Sequence, residues 1–186
     1  MENKITFIDL ETTGLDEQRN LITEVAAMVC TYKPGPNWRK TWKEGVLYEQ
    51  RVFPSESPFI DPFVAKLNGY DRKEWLETGT NIGYALTQLY PMLEGSAIAG
   101  SNPSFDIKFL KAAMDKMGWT FPKLATHHAL DVPSMGYDLV LKGAVTTARQ
   151  GKMCDHFGIK GEAHRAGNDV KMCVKLFKKI LESRSQ

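Results

Sequence analysis

The hydropathy pattern changes character about a third of the way along the chain, and the change narrows the folds open to it. Three strand-like runs come first, Lys4–Leu10, Leu21–Tyr32 and Val46–Phe53. They are rich in β-branched and aromatic residues and have no helical period between them. Strands that follow one another without an intervening helix pair antiparallel. Beyond residue 60 the pattern alternates. Pro62–Asn68 and Asn81–Leu93 read as helices and Ala97–Gly100 as a short buried strand. Asp106–Met117 is helical, with Ile107, Leu110 and Met114 on one stripe. A further strand is expected within Ala125–Val132, then helices over Thr146–Phe157 and Asn168–Leu181. Strand–helix alternation requires crossovers and hence parallel pairing. The expected class is α/β: a mixed sheet flanked by helices, a meander first and βα units afterwards. With 186 residues, 42% hydrophobic and 25% charged, the expectation is one domain over residues 1–182 and a frayed tail over 183–186.

Charge and cysteine content exclude several classes. The formal net charge is +2, so the chain is not a highly basic chromatin protein. Cys30, Cys154 and Cys173 are widely spaced and odd in number, which fits a reducing, cytoplasmic setting and no disulfide framework. No apolar run reaches the length of a membrane span, and the start lacks a signal-peptide core. No membrane partner is expected.

The first segment with chemical content is Phe7-Ile8-Asp9-Leu10-Glu11-Thr12-Thr13-Gly14. Side chains alternate along a strand, so Asp9 and Glu11 share one side with Ile5 and Phe7. Two neighbouring carboxylates at the end of a buried strand repel each other and are costly to desolvate. A divalent cation relieves both problems, and oxygen-only ligands suit Mg2+ or Mn2+ better than zinc. Gly100-Ser101-Asn102-Pro103-Ser104-Phe105-Asp106 leaves a strand and opens a helix, with Asp106 in the first turn. There a carboxylate is favoured by the helix dipole alone. His164-Arg165-Ala166-Gly167-Asn168-Asp169 leads into the last helix in the same manner.

Taken in order, FIDLETTG, SNPSFD and HRAGND resemble the three motifs of the DEDDh 3′–5′ exonucleases, over residues from Ile5 to about Leu181. A histidine stands five residues before Asp169. The sister subgroup has a tyrosine four residues before the aspartate, where this chain has Arg165. The resemblance implies a ribonuclease H-like fold with a five-stranded mixed sheet. It implies that Asp9, Glu11, Asp106 and Asp169 hold two divalent metal ions, Mg2+ or Mn2+, and that His164 is the general base. It also implies contacts to the terminal nucleotide from Thr12, Thr13, Gly14 and Leu15, and from Asn102 and Phe105. Two metals stabilise charge on the attacking and leaving oxygens of a phosphodiester. A histidine titrates near neutrality and so can accept the water's proton. The expected substrate is the 3′ end of single-stranded nucleic acid, DNA preferred, with nucleoside monophosphates released. An oligoribonuclease-like RNA exonuclease and a non-catalytic accessory subunit of a polymerase complex are the alternatives. A polymerase or another replication or repair protein is the expected partner. Gly167 departs from the family pattern, which usually has a bulkier apolar residue there.

Residues 33–43 hold four basic residues, two tryptophans and no acid. Basic residues interleaved with aromatics suit a single nucleic-acid strand, but tryptophans packed on the domain are the favoured reading here. Cys154, His156, His164 and Cys173 fit no ordinary zinc spacing. His127 and His128 are expected to diverge on a strand.

Overall fold

A computed structural model describes residues 2–53, 60, 62–162 and 164–184. The three early runs form β1 (Asn3–Thr12), β2 (Ile22–Tyr32) and β3 (Lys43–Arg51), paired antiparallel in sequence order. β4 (Ala97–Gly100) lies parallel to β1, and β5 (Leu130–Asp131) lies parallel to β4. The sheet order is β3-β2-β1-β4-β5, mixed as the pattern implied and five-stranded as the resemblance implied.

Each face of the sheet carries its own core. Period-2 alternation sends Ile5, Phe7, Ala26, Met28 and Cys30 to one face, where the last helix α9 (Ala166–Ser183) supplies Val170, Cys173, Val174 and Phe177. Ile8, Leu10, Val25 and Ala27 face the opposite way. There α4 (Ile82–Leu93) and α5 (Pro103–Lys116) cover them with Leu86, Leu89, Leu110 and Met114. α9 also buries Met172, Leu176 and Ile180. At 1.5 Å per residue its 18 residues run about 27 Å along the sheet.

Several boundaries moved. Thr146–Phe157 is helical only over α8 (Gln150–His156). The β-branched Val145, Thr146 and Thr147 have low helix propensity, and Arg149 is extended. The strand expected within Ala125–Val132 shrinks to β5, and Val132 opens a four-residue helix, α6 (Val132–Met135), with Pro133 in its first turn and α7 (Tyr137–Leu141) after it. His127 and His128 therefore sit in a loop with their rings 3.9 Å apart, rather than diverging on a strand. The helix α2 (Pro62–Asn68) stands as expected, and α3 (Arg72–Thr78) was not foreseen. α3 is short and takes its N-cap from Asp71, whose side chain accepts the Glu74 N–H. The last helix continues to Ser183, so the expected tail begins later than residue 183; residues 185 and 186 lie outside the described residues. No helix among the described residues is long and apolar enough to cross a membrane.

The basic, tryptophan-containing segment folds onto the domain. It forms a single turn, α1 (Trp38–Thr41). Trp42 stacks on Phe177 (5.5 Å) and Tyr32 (6.3 Å), and Trp38 meets Tyr32 edge-on. Arg39 donates to the Leu181 carbonyl, near the end of α9. The tryptophans are packing residues, as the sequence favoured.

Candidate active site

Three elements converge at the carboxyl end of β1, a crevice between adjacent parallel strands where ligands bind in open α/β sheets. β1 brings Asp9 and Glu11 on the α9 side, as alternation requires. The first turn of α5 brings Asp106 from the other face, and the first turns of α9 bring Asp169. One carboxylate oxygen from each of Asp9, Glu11 and Asp169 falls within 4.8 Å of the others. Asp106 is buried, and its Oδ1 accepts the Leu10 N–H at 3.0 Å. This holds it against β1 between the two strand carboxylates.

The electrostatics follow from crowding four acids out of water. Burial raises Asp9 well above the usual carboxylate range, and Asp106, Asp169, Glu11 and Glu24 push it further. Burial lifts Glu11 to about 7, with Asp169 and Glu24 adding to the rise and Arg165 opposing it. Burial lifts Asp106 to about 8, against the Leu10 N–H that lowers it. Asp169 is also raised by burial, against the N–H groups of His164 and Arg165. A cluster of this kind needs protons or a cation. Its donors are all oxygens, a set that fits a hard divalent ion.

Asp169 is held by several donors. Its Oδ2 accepts the backbone N–H of His164 (2.7 Å) and Arg165 (3.3 Å). Its Oδ1 accepts Gln150 Nε2 at 2.8 Å. His164 has φ 66°, a left-handed conformation that a non-glycine residue adopts at a cost. That conformation turns its N–H onto Asp169 while the ring stays exposed. His164, Asp9, Glu11 and Asp169 line one cleft of about 550 Å³, together with Ser101, Arg149, Gln150 and Lys152.

The expected nucleotide contacts sit in the β1–β2 turn and at the start of α5. Thr12, Thr13, Gly14, Leu15, Asn102 and Phe105 are not among the described residues lining the cleft. Thr12 and Thr13 are buried, and their hydroxyls engage Gly14 O (2.6 Å) and the Leu21 N–H (3.0 Å) within the β1–β2 turn. Gly14 lies so close to the Asn20 side chain that a Cβ would stand 2.7 Å from it. Leu15 is 85% exposed. Asn102 is left-handed at the α5 N-cap, and its N–H donates to Asp131. Phe105 packs on Phe109 at 4.7 Å.

Two residues that sequence reasoning missed support the site. Glu24 lies opposite Glu11 in the β1–β2 ladder, one residue before a register irregularity, and is 1% exposed. It accepts the Ala166 N–H (3.2 Å) and the Arg165 guanidinium (3.3 Å). A carboxylate there satisfies an orphan donor at the start of α9 and complements its dipole. Gln150 is the second. No local signal marks either, because their partners lie 141 and 19 residues away. At Gly167 a Cβ would meet the Glu49 carboxylate, the far end of an exposed side chain that can swing aside.

Comparison with known proteins agrees with this geometry. The chain is 24% identical over 183 residues to the PolC-type DNA polymerase III of Caldanaerobacter subterraneus subsp. tengcongensis, covering 98% of this chain and 12% of that protein. It is 23% identical over 175 residues to the DNA polymerase III epsilon subunit of Treponema pallidum, covering 92% of this chain and 74% of the subunit. Exonuclease I superposes with a TM-score of 0.78 at 15% identity, over 97% of this chain and 41% of that one. The E. coli exonuclease I complex with a dT13 oligonucleotide gives 0.76 at 14% identity, over 96% and 41%. The chain thus spans a small part of the polymerase and under half of exonuclease I. The exonuclease family profile matches residues 6–177, so the chain belongs to the exonuclease family, in the DEDDh type of the ribonuclease H-like superfamily.

Proposed function

We propose that this nuclease is a metal-dependent 3′–5′ exonuclease that removes nucleoside monophosphates from single-stranded DNA, with residues 1–182 acting as one catalytic domain. The observation that carries the reading is the convergence of Asp9, Glu11 and Asp169 oxygens within 4.8 Å of one another. The same carboxylates are raised by burial, and for Asp9 and Glu11 by neighbouring acids as well, with Asp106 behind them. These four residues would hold two divalent ions, Mg2+ or Mn2+, which when bound supply charge stabilisation to a phosphodiester under attack. His164 is the general base: its exposed ring lines the cleft while its backbone is fixed to Asp169. Leu15, exposed beyond the first motif, is available to the terminal base, whereas Phe105 serves the core.

The preference for DNA is supported by the likeness to exonuclease I solved with deoxyoligonucleotides. The likeness to epsilon and PolC proteins supports a polymerase partner. Three free, buried thiols suit a reducing, cytoplasmic setting.

The test uses 5′-labelled single-stranded DNA and RNA of equal sequence, with Mg2+ or Mn2+ and then with a chelator. A ladder shortened from the 3′ end, faster on DNA and lost on chelation, is expected. Asp9→Asn abolishes it, and His164→Ala lowers kcat far more than it changes KM. Cleavage that survives chelation or starts at internal sites overturns the reading, and faster RNA shortening reverses the substrate preference.

A further inference from the structure

Asp9, Glu11 and Asp169, facing one cleft with Asp106 buried behind them, repel the polyanion they would have to cut. The cleft answers this on one wall only. Among the described residues that line it, the lysine and arginine side chains are Arg149, at the N-cap of α8, and Lys152, in its first turn. Gly151 between them adds no side chain and has open space around it. Gln150 turns inward from the same place, is 9% exposed, and donates to Asp169 at 2.8 Å. Its Oε1 is buried beside the cleft without a partner. Through that one contact the turn bearing both cations is tied to a carboxylate of the site.

Other basic groups on α9 are committed or lie elsewhere. Arg165 is held by Glu24, Lys178 by Glu44 at 2.8 Å and Lys179 by Glu182. Lys171 and Lys175 are exposed but do not line the cleft. None of the cations of residues 33–43 lines the cleft, and Arg39 reaches Leu181, twelve residues or about 18 Å along α9 from Asp169. Within the cleft, Lys152 has one acidic neighbour, Asp155, at 3.8 Å, with both side chains mostly exposed. A surface pair of this kind contributes little and yields readily to a phosphate.

We infer that Arg149 and Lys152 form the phosphate-binding wall of the cleft, gripping the backbone of the single strand whose end is being cut, with Gln150 holding that wall in register with Asp169. The inference rests on the nuclease reading above. It assigns strand binding to the start of α8 rather than to the basic tryptophan-containing segment. Arg supplies a planar fork matched to a phosphate, and Lys a mobile point charge beside it.

The experiment measures binding and cutting separately. Affinity for a fluorescein-labelled 12-nucleotide oligothymidylate is followed by anisotropy across a NaCl series, with Ca2+ in place of Mg2+. Cutting is followed in Mn2+. Each phosphate contact on a single strand contributes about 0.7 to the slope of log K against log salt. Arg149→Ala/Lys152→Ala therefore reduces the slope by about 1.4 and weakens low-salt binding about tenfold or more. Arg149→Lys/Lys152→Arg restores most of both. Lys33→Ala/Lys40→Ala, which removes the same charge from the far segment, leaves the slope as in the parent. Parent-like slope and affinity in the α8 variant, a slope lost with the far pair instead, or a parent protein that binds no oligonucleotide each overturns the inference. A parent protein that binds with the expected α8 dependence yet never cuts overturns the nuclease reading alone.

Discussion

Glu24 shows how far a single buried charge can reach. It sits in a run of apolar strand residues and is 1% exposed, yet it joins the sheet to the first turn of α9, 141 residues later. Removing it leaves the Ala166 N–H and the Arg165 guanidinium without their acceptor, at a cost of about 3–5 kcal/mol for a broken buried pair. Glu24→Gln keeps the shape and loses the charge, costing about 1–3 kcal/mol. In a chain of this length that is a fall in Tm of several degrees, at about 2–4 °C per kcal/mol. Thermal melts of Glu24→Ala and Glu24→Gln test the ranking, and an unchanged Tm in both would show that Arg165 finds water instead. Legibility at this scale was uneven. Asp9 and Glu11 can be read from strand alternation alone. Asp106 and Asp169 each look like an ordinary first-turn acid, and only the resemblance joined them to the pair. Glu24 and Gln150 gave no local sign, because a hydrogen bond across the fold leaves no mark on spacing.

Among the elements, those with long, regular patterns were read correctly from sequence, as were the short α2 and β4, whereas α8 and β5 came out shorter than expected and α3 was not foreseen. β1, β2 and α9 have apolar periods long enough to fix type and face. α8 lost its expected first turn to β-branched residues, and that loss brings Gln150 to the start of the helix beside Asp169. β5 is two residues long, too short to carry a period. The segment between β2 and β3 is the instructive case, since its composition suits nucleic acid while its tryptophans close the α9 side of the sheet. Trp42→Ala removes stacking on Phe177 and Tyr32 and is expected to cost about 3 kcal/mol. Tm should fall, with oligonucleotide affinity at a permissive temperature changed less than twofold. Weakened binding at unchanged Tm would return the tryptophan to the substrate.

For the whole molecule, the near-balanced charge is a sum over unlike regions. Residues 1–32 carry six acids and two bases, whereas residues 33–43 carry four bases and no acid. The acids that matter most are gathered at one end of β1, where they make the metal-free fold sensitive to pH. Glu11 rises from 4.5 to about 7 and Asp106 from 3.8 to about 8 on folding. Between those limits the folded chain binds more protons than the unfolded one, so stability falls as pH rises through the window. Without divalent metal, Tm should decline from pH 5 to pH 8, and Mg2+ or Mn2+ should raise Tm more at pH 8 than at pH 5. A metal-free Tm that climbs over that range would show that the cluster is not crowded in solution. The central claim is that this carboxylate cluster drives removal of nucleotides from a 3′ end. The most direct measurement places the label on the 3′-terminal nucleotide of a single-stranded DNA and follows the first product in Mg2+. A labelled mononucleotide released from the outset, absent with chelator and with Asp169→Asn, is the predicted result; a labelled oligonucleotide as first product would contradict it.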